Sequence, residues 1–313
     1  MRGMWLLLLL ACDPKPAPDD TGLDDTAAEC GIVVDAIVPT DASSTHLGSQ
    51  PIEVELSAPD PTATLSLDAP GELVRFEGDE RLWFVPDPPL AAGSSHTATL
   101  TWCGGEITWT FTTDADVGAP LGGLDLSDHS WALDLGSARW NAPALTGAVD
   151  LGMLGIAGFA AGVSHHEGTV ADLRLANLDA KGEQDTCSRT PEIPGATVSE
   201  GWLRWGPADL SFAAYDGAIT LESASLVAGV ADDGGRLAGA SVHTWVDIAS
   251  VAALVGVESE AEGCEFFGAF GATCEPCPGS DHQCIELWVD GIEGAARDGG
   301  LVEIDTIDAS CPE

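Results

Sequence analysis

The chain has 313 residues, with 51 Asp and Glu against 11 Lys and Arg, so its formal net charge is -40 and its pI about 4.1. Such a polyanion repels phosphate backbones and anionic lipid heads, both of which are held by Lys and Arg, and nucleic-acid binding is therefore excluded. Hydrophobic residues make up 45% of the chain, enough for packed cores, and the length suits about two domains.

Residues 1–12 read MRGMWLLLLLAC, with one Arg, an apolar run from Met4 to Leu10, then Ala11 and Cys12. The run is far shorter than the roughly 20 apolar residues that cross a bilayer, and it reads as an export signal. Leu9-Leu10-Ala11-Cys12 resembles the lipobox of bacterial lipoproteins. The resemblance implies a signal peptide over 1–11, diacylglycerol on Cys12 and a lipid anchor at the bacterial cell envelope. Cysteine parity agrees with it. Without Cys12, eight cysteines remain (Cys30, Cys103, Cys187, Cys264, Cys274, Cys277, Cys284 and Cys311), and all eight can pair in an oxidising compartment. Residues 12–29 are rich in Pro and Asp and have almost nothing to bury, which predicts an acidic tether. Asp19-Asp20 and Asp24-Asp25 lack the ligand spacing of a calcium loop, leaving weak divalent-cation binding as the only cofactor expectation.

From residue 30 onward the runs IVVDAIV, PIEVELS, TATLSLD, LVRFEG, RLWFVPD, HTATLTW and ITWTFTT alternate apolar and polar residues between turn signals. Short strands at intervals of roughly 8 to 12 residues predict an all-β sandwich over 30–113. Val38-Pro39, PIEVELSAP, PDPPLAAGSSHTATL and the closing TWTFTT resemble the bacterial Ig-like domain also found in surface-layer proteins. That resemblance implies spacing and presentation rather than a shared active site. Cys30 and Cys103 are the only cysteines of this segment and are expected to clamp an early strand to a late one. Trp83, Trp102 and Trp109 are expected to pack in the core or at its edge.

A Gly/Pro/Asp linker over 114–123 leads to a second domain over 124–313. Strands are expected at LDLSDHSWALDLGSARW, VADLRLANLD, GWLRWG, ADLSFAAYDG, AITLESASLVAGV, RLAGASVHTWVDI, CIELWVDGIEG and LVEIDTI, with turns at Tyr215-Asp216-Gly217 and Asp232–Gly235. The fold class is therefore mainly β: an Ig-like sandwich, then a disulfide-rich β-meander or barrel with one or two short helices. DIASVAALVGVE carries helical spacing at Ile248, Val251, Ala252 and Val255. The glycine-rich apolar stretch over 144–163 reads as a buried strand-helix passage or as the lining of an apolar cavity.

CEFFGAFGATCEPCPGSDHQC holds four cysteines, Cys264, Cys274, Cys277 and Cys284, and contains one CxxC where a structural zinc site uses two. Disulfides are the preferred reading, with Cys277 bonded to Cys284, and Cys187 and Cys311 tying distant segments. His165-His166-Glu167 is the densest group of metal-type side chains, and in a strand His165 and Glu167 share a face. His129 and His243 read as strand-surface residues. No GxSxG, HExxH, P-loop or GxGxxG signature is present, and with 51 carboxylates a spaced acid pair carries no signal. The sequence thus predicts a non-catalytic, lipid-anchored envelope protein that makes protein or glycan contacts. The alternative is a carrier of a small apolar or lipid-like ligand in the second domain, and a secreted hydrolase ranks third. A Cys12→Ala variant is expected to lose fatty-acid labelling and leave the membrane fraction; lipid-mediated retention of that variant would refute the anchor.

Overall fold

The computed structural model describes residues 30–145, 158–214, 217–252, 256–269, 271–307 and 311. The lipobox with Cys12, the acidic tether, most of the glycine-rich stretch and the Tyr215-Asp216 turn lie outside the described residues. Alternation fixes the first seven strands: β1 (Val34–Val38), β2 (Ile52–Leu56), β3 (Thr64–Leu67), β4 (Gly71–Phe76), β5 (Arg81–Pro86), β6 (Ser95–Trp102) and β7 (Gly105–Thr112). They form two antiparallel sheets, β1-β2-β5-β4 and β3-β6-β7, which is the strand order of a constant-type immunoglobulin sandwich. Ile52, Val54, Leu65, Leu82, Leu100 and Phe111 fill the space between the sheets. Trp109 joins this core, while half-buried Trp102 packs at its edge and donates its indole N–H to the Ile32 carbonyl at 3.1 Å.

The second region contains β8 (Ser130–Asp134), β9 (Arg139–Ala142), β10 (Ala144–Leu145), β11 (Gly158–Glu167), β12 (Val170–Leu178), β13 (Glu192–Ser199), β14 (Trp202–Ala214), β15 (Gly217–Val230) and β16 (Arg236–Asp247). Two helices follow, α1 (Ile248–Ala252) and α2 (Glu260–Gly268), and then β17 (Cys274–Pro276) and β18 (Gln283–Ala296). Strands β11 to β16 form an antiparallel meander and β18 pairs with β16. The ring closes because β8 pairs with β11 on one side and with β18 on the other, through Glu293↔Asp134 to Ala296↔Trp131. The result is an eight-stranded antiparallel barrel, to which β9 and β10 add a flap alongside β18.

Four features differ from the sequence reading. GWLRWG and ADLSFAA form one strand, β14, whose register shifts around Gly206-Pro207. EIPGATVS forms β13 although Pro194 and Gly195 interrupt its alternation. Residues 158–163 of the glycine-rich stretch belong to β11, which runs on to Glu167. LVEIDTI is not a strand: it is a strap in which Leu301 packs on Ala160, Ala176 and Leu178. Gln184 holds that strap through both the N–H and the carbonyl of Val302, at 2.8 and 2.7 Å. The alternation of the strap therefore reflects burial of Leu301 against the barrel wall without a backbone ladder.

The described cysteines are oxidised. Cys187 bonds Cys311, Cys264 bonds Cys274 and Cys277 bonds Cys284. Cys30 is disulfide-bonded, and so is Cys103. The four thiols that a zinc site would have needed are thus all in bridges.

Residues 32–313 form one compact unit, and the sandwich docks on the outside of the barrel. In β5 the run Leu82-Trp83-Phe84 is buried throughout, because Leu82 and Phe84 face the sandwich core while Trp83 points away from it. Trp83 meets Trp288 of β18 edge to face at 5.1 Å, and Phe76 packs beside both. Next to this cluster Asp290, 1% exposed, accepts from Arg139 Nε and Nη2 at 3.1 Å and from Asn141 Nδ2 at 2.8 Å. Arg139 also pairs with Glu53 of β2 and lies over the Trp83 ring. Ser49 donates to the carbonyl of Gly239, whose φ of +58° puts its backbone against Leu47, where a Cβ would come within 2.7 Å of that side chain.

His46 is buried on the sandwich side of this joint, with Nε2 at 3.2 Å from the Gln50 carbonyl. Burial lowers its pKa from 6.5 to about 4; the positive charges of Arg139 and His96 act in the same direction and the Gln50 bond opposes them. An unfolded histidine takes its proton near pH 6.5, so the stability that depends on neutral His46 is complete above that value and is lost as pH falls toward 4. The loss amounts to roughly 3 kcal/mol. Asp290 acts in the opposite sense, since burial raises its pKa and its contribution diminishes as pH rises through that value. Urea unfolding at pH 7.5 and 4.5 should show a His46→Gln variant losing about 2 to 3 kcal/mol less than wild type on acidification. Equal losses in the two proteins would remove His46 from the account.

Candidate functional site

Cross-strand partners in an antiparallel ladder point to the same face. The register therefore sorts the barrel interior into rows. One row is Val198↔Leu203↔Ala228, whose members are 5%, 2% and 0% exposed. The next crosses five strands, Trp205↔Leu226↔Val242↔Val289↔Trp140. In this second row only Val289 is fully buried, and the other four are half-buried against the same core. Leu175, Leu210 and Leu287 are half-buried against that core as well. The interior thus passes from a closed apolar base to an accessible apolar wall.

The base is closed by Trp131 and Leu126, both 0% exposed; the Trp131 indole N–H donates to the Gly234 carbonyl at 3.0 Å. In the accessible row the indole N–H groups already have acceptors. Trp205 Nε1 donates to Pro194 O at 3.2 Å and Trp140 Nε1 to Leu135 O at 3.4 Å. No member of the row carries a charge, so a polar molecule would gain little there and an apolar one would shed hydration.

The helices sit at the end of the barrel where β16 stops and β18 starts. Asp247 Oδ1 accepts the Ala249 N–H at 2.8 Å and so opens α1, whose Ile248 and Val251 cover Ile285 with Val246 and Ile219 beside it. Ser259 caps α2 by accepting the Glu262 N–H at 3.3 Å. Thr220 N–H donates to Ser250 Oγ at 3.0 Å, which fastens the cap to β15.

Other sequence-stressed residues are scattered. His165 and Glu167 lie 3.9 Å apart with exposed side chains, and among the described residues no third ligand-type group joins them. His166 points inward, as the strand parity requires, and its Nδ1 accepts the Leu126 N–H at 3.1 Å. It lines a recess of about 370 Å³ below the base with Leu121, Leu124, Asp125, Val198 and Glu200. Hydrogen bonds from the Ser127 amide and hydroxyl hold the Asp125 carboxyl below its usual pKa. His243 lies on the outer wall, stacked on Trp288 and 2.7 Å from Glu286, while His129 lies tilted against Trp131. Nothing in the order of residues marks the accessible row, since its members are separated by whole strands and meet only through register.

No protein-family profile and no curated protein matches this chain. Among solved structures, an L,D-transpeptidase from Mycobacterium smegmatis aligns at 13% identity and a TM-score of 0.23, over 55% of this chain and 78% of that one. Domains 4-9 of the surface-layer protein SbsC align at 13% identity and a TM-score of 0.20, over 69% of this chain and 28% of that one. Likenesses this low carry no functional argument.

Proposed function

We propose that this chain is a non-catalytic binding protein, anchored at the bacterial envelope through Cys12, whose barrel holds one small neutral apolar molecule. The observation that carries the reading is the step in burial between adjacent inward rows, from Val198-Leu203-Ala228 to Trp205-Leu226-Val242-Trp140. An eight-stranded barrel has an interior wide enough for filling side chains or one small ligand, and here, among the described residues, the second inward row is only half-buried.

Contacts with a protein or glycan partner are less well supported. The large aromatic cluster of Phe76, Trp83 and Trp288 is used between the sandwich and the barrel. The exposed large apolar residues, Val33, Val38, Val170, Phe266, Val302 and Ile307, are spread over the chain. Neutrality of the ligand follows from charge: the net charge of -40 repels anions such as a free fatty-acid carboxylate, and the row offers no base to offset this. In this reading the sandwich and tether are spacers that hold the barrel away from the lipid.

The neutral fluorophore N-phenyl-1-naphthylamine is the direct probe. Wild type should enhance its emission saturably, and the affinity should be weakened roughly fivefold or more in Leu226→Glu, where a carboxylate enters the wall at a cost of about 1 to 3 kcal/mol. Far-UV circular dichroism should stay unchanged. Absence of saturable binding, or equal affinity in the variant, would remove the carrier reading.

A further inference from the structure

The cysteine-rich stretch brings together a set of ligand-type side chains that uses no sulfur. Asp247 ends β16, Glu260 opens α2, and His282 sits in the loop closed by Cys277–Cys284. One ligand atom from each lies within 4.8 Å of the other two. His282 Nδ1 is 2.6 Å from Glu260 Oε1.

Separate devices hold the three positions. Asp247 is fixed by the Ala249 N–H and Glu260 by the Ser259 cap. The backbone of His282 accepts the Cys277 N–H at 3.0 Å inside the stapled loop. Buried Glu222 anchors the same loop by accepting Gly279 N–H and Ser280 Oγ–H, both at 2.9 Å. The ligand set is thus built on a strand end, a capped helix start and a disulfide loop.

We propose that Asp247, Glu260 and His282 form a site for a divalent transition-metal ion of the zinc class, which ties the cap helices to the stapled loop. An imidazole with two carboxylates matches zinc in ligand type, whereas calcium takes six to eight oxygens and magnesium prefers water and oxygen. A neutral imidazole and two carboxylates sum to two negative charges, which a dication cancels. Three protein ligands leave one tetrahedral position for water. The exposed pair His165 and Glu167 has no third such group among the described residues and serves as an internal control.

Native mass spectrometry and calorimetry of the purified protein with zinc chloride test the site. Wild type should take up one zinc ion, and His282→Ala should weaken binding by about tenfold or more. Asp247→Asn should do the same while keeping an acceptor for the Ala249 N–H, so that α1 stays capped. His165→Ala should bind as wild type does. A wild-type protein without a zinc adduct, or undiminished affinity in His282→Ala, overturns the proposal. Either result leaves the fluorophore test of the barrel untouched.

Discussion

The structure depends on the closure of the barrel by β18 against β8. Without that pairing the sheet of eight strands, β8, β11 to β16 and β18, would end in two open edges, each presenting unpaired N–H and C=O groups to any passing strand. Pairing Glu293–Ala296 with Trp131–Asp134 removes both edges and gives the inward faces a common interior. It also places Trp131 at the base, where its indole reaches Gly234 in the turn between β15 and β16. Without that plug the rows above would have no floor, and the change from buried to accessible wall would have no direction.

The same strand organises the exterior. Along β18, Ile285, Val289 and Ile292 face inward, Trp288 and Asp290 face the sandwich, and Cys284 is bonded into the stapled loop at its start. The sandwich responds in kind through β5, which is buried on both faces. Two strands with two buried faces each make the joint rigid. Its polar part, Asp290 with Arg139 and Asn141, fixes the angle of docking more than its strength, since a buried ion pair recovers little beyond its desolvation cost.

Legibility in the sequence followed a physical rule. Strands with one wet face, β2, β3 and β6, announce themselves by alternation, and the sandwich was readable throughout. Strands of the barrel covered on both sides lose that signal, whereas doubly covered β5 is still marked by Leu82 and Phe84. β11 reads as a glycine-rich apolar run because the Leu301 strap covers its outer face while the core covers the inner one. β13 was hidden by Pro194 and Gly195, and β14 was split by Gly206-Pro207. The short helix α1 was legible from its spacing and from Asp247. α2 was not, because of its nine residues only Gly263 is buried, and nothing periodic marks it. Neither the accessible row nor the Asp247-Glu260-His282 set could be read, since each joins residues whose proximity is decided by register and loop closure.

The scarcity of bases acquires meaning only in three dimensions. The arginines are placed as internal cross-links: Arg139 joins Glu53 and Asp290 across the joint, and Arg174 ties the Leu301 carbonyl with Glu192 and Glu303 to hold the strap. Arg75 bonds Asp79 and the Ala63 carbonyl within the sandwich, and Arg81 lies over Phe76 and Trp83. With these four arginines used in this way, 51 carboxylates against 11 bases leave the chain strongly negative, and mutual repulsion opposes association of two β-rich modules through their edges. Such a field also filters what can approach. In the proposed carrier reading, anions would be turned away from the accessible row, whereas a neutral apolar molecule would meet no electrostatic barrier, so that the shape and dryness of the wall would decide its entry.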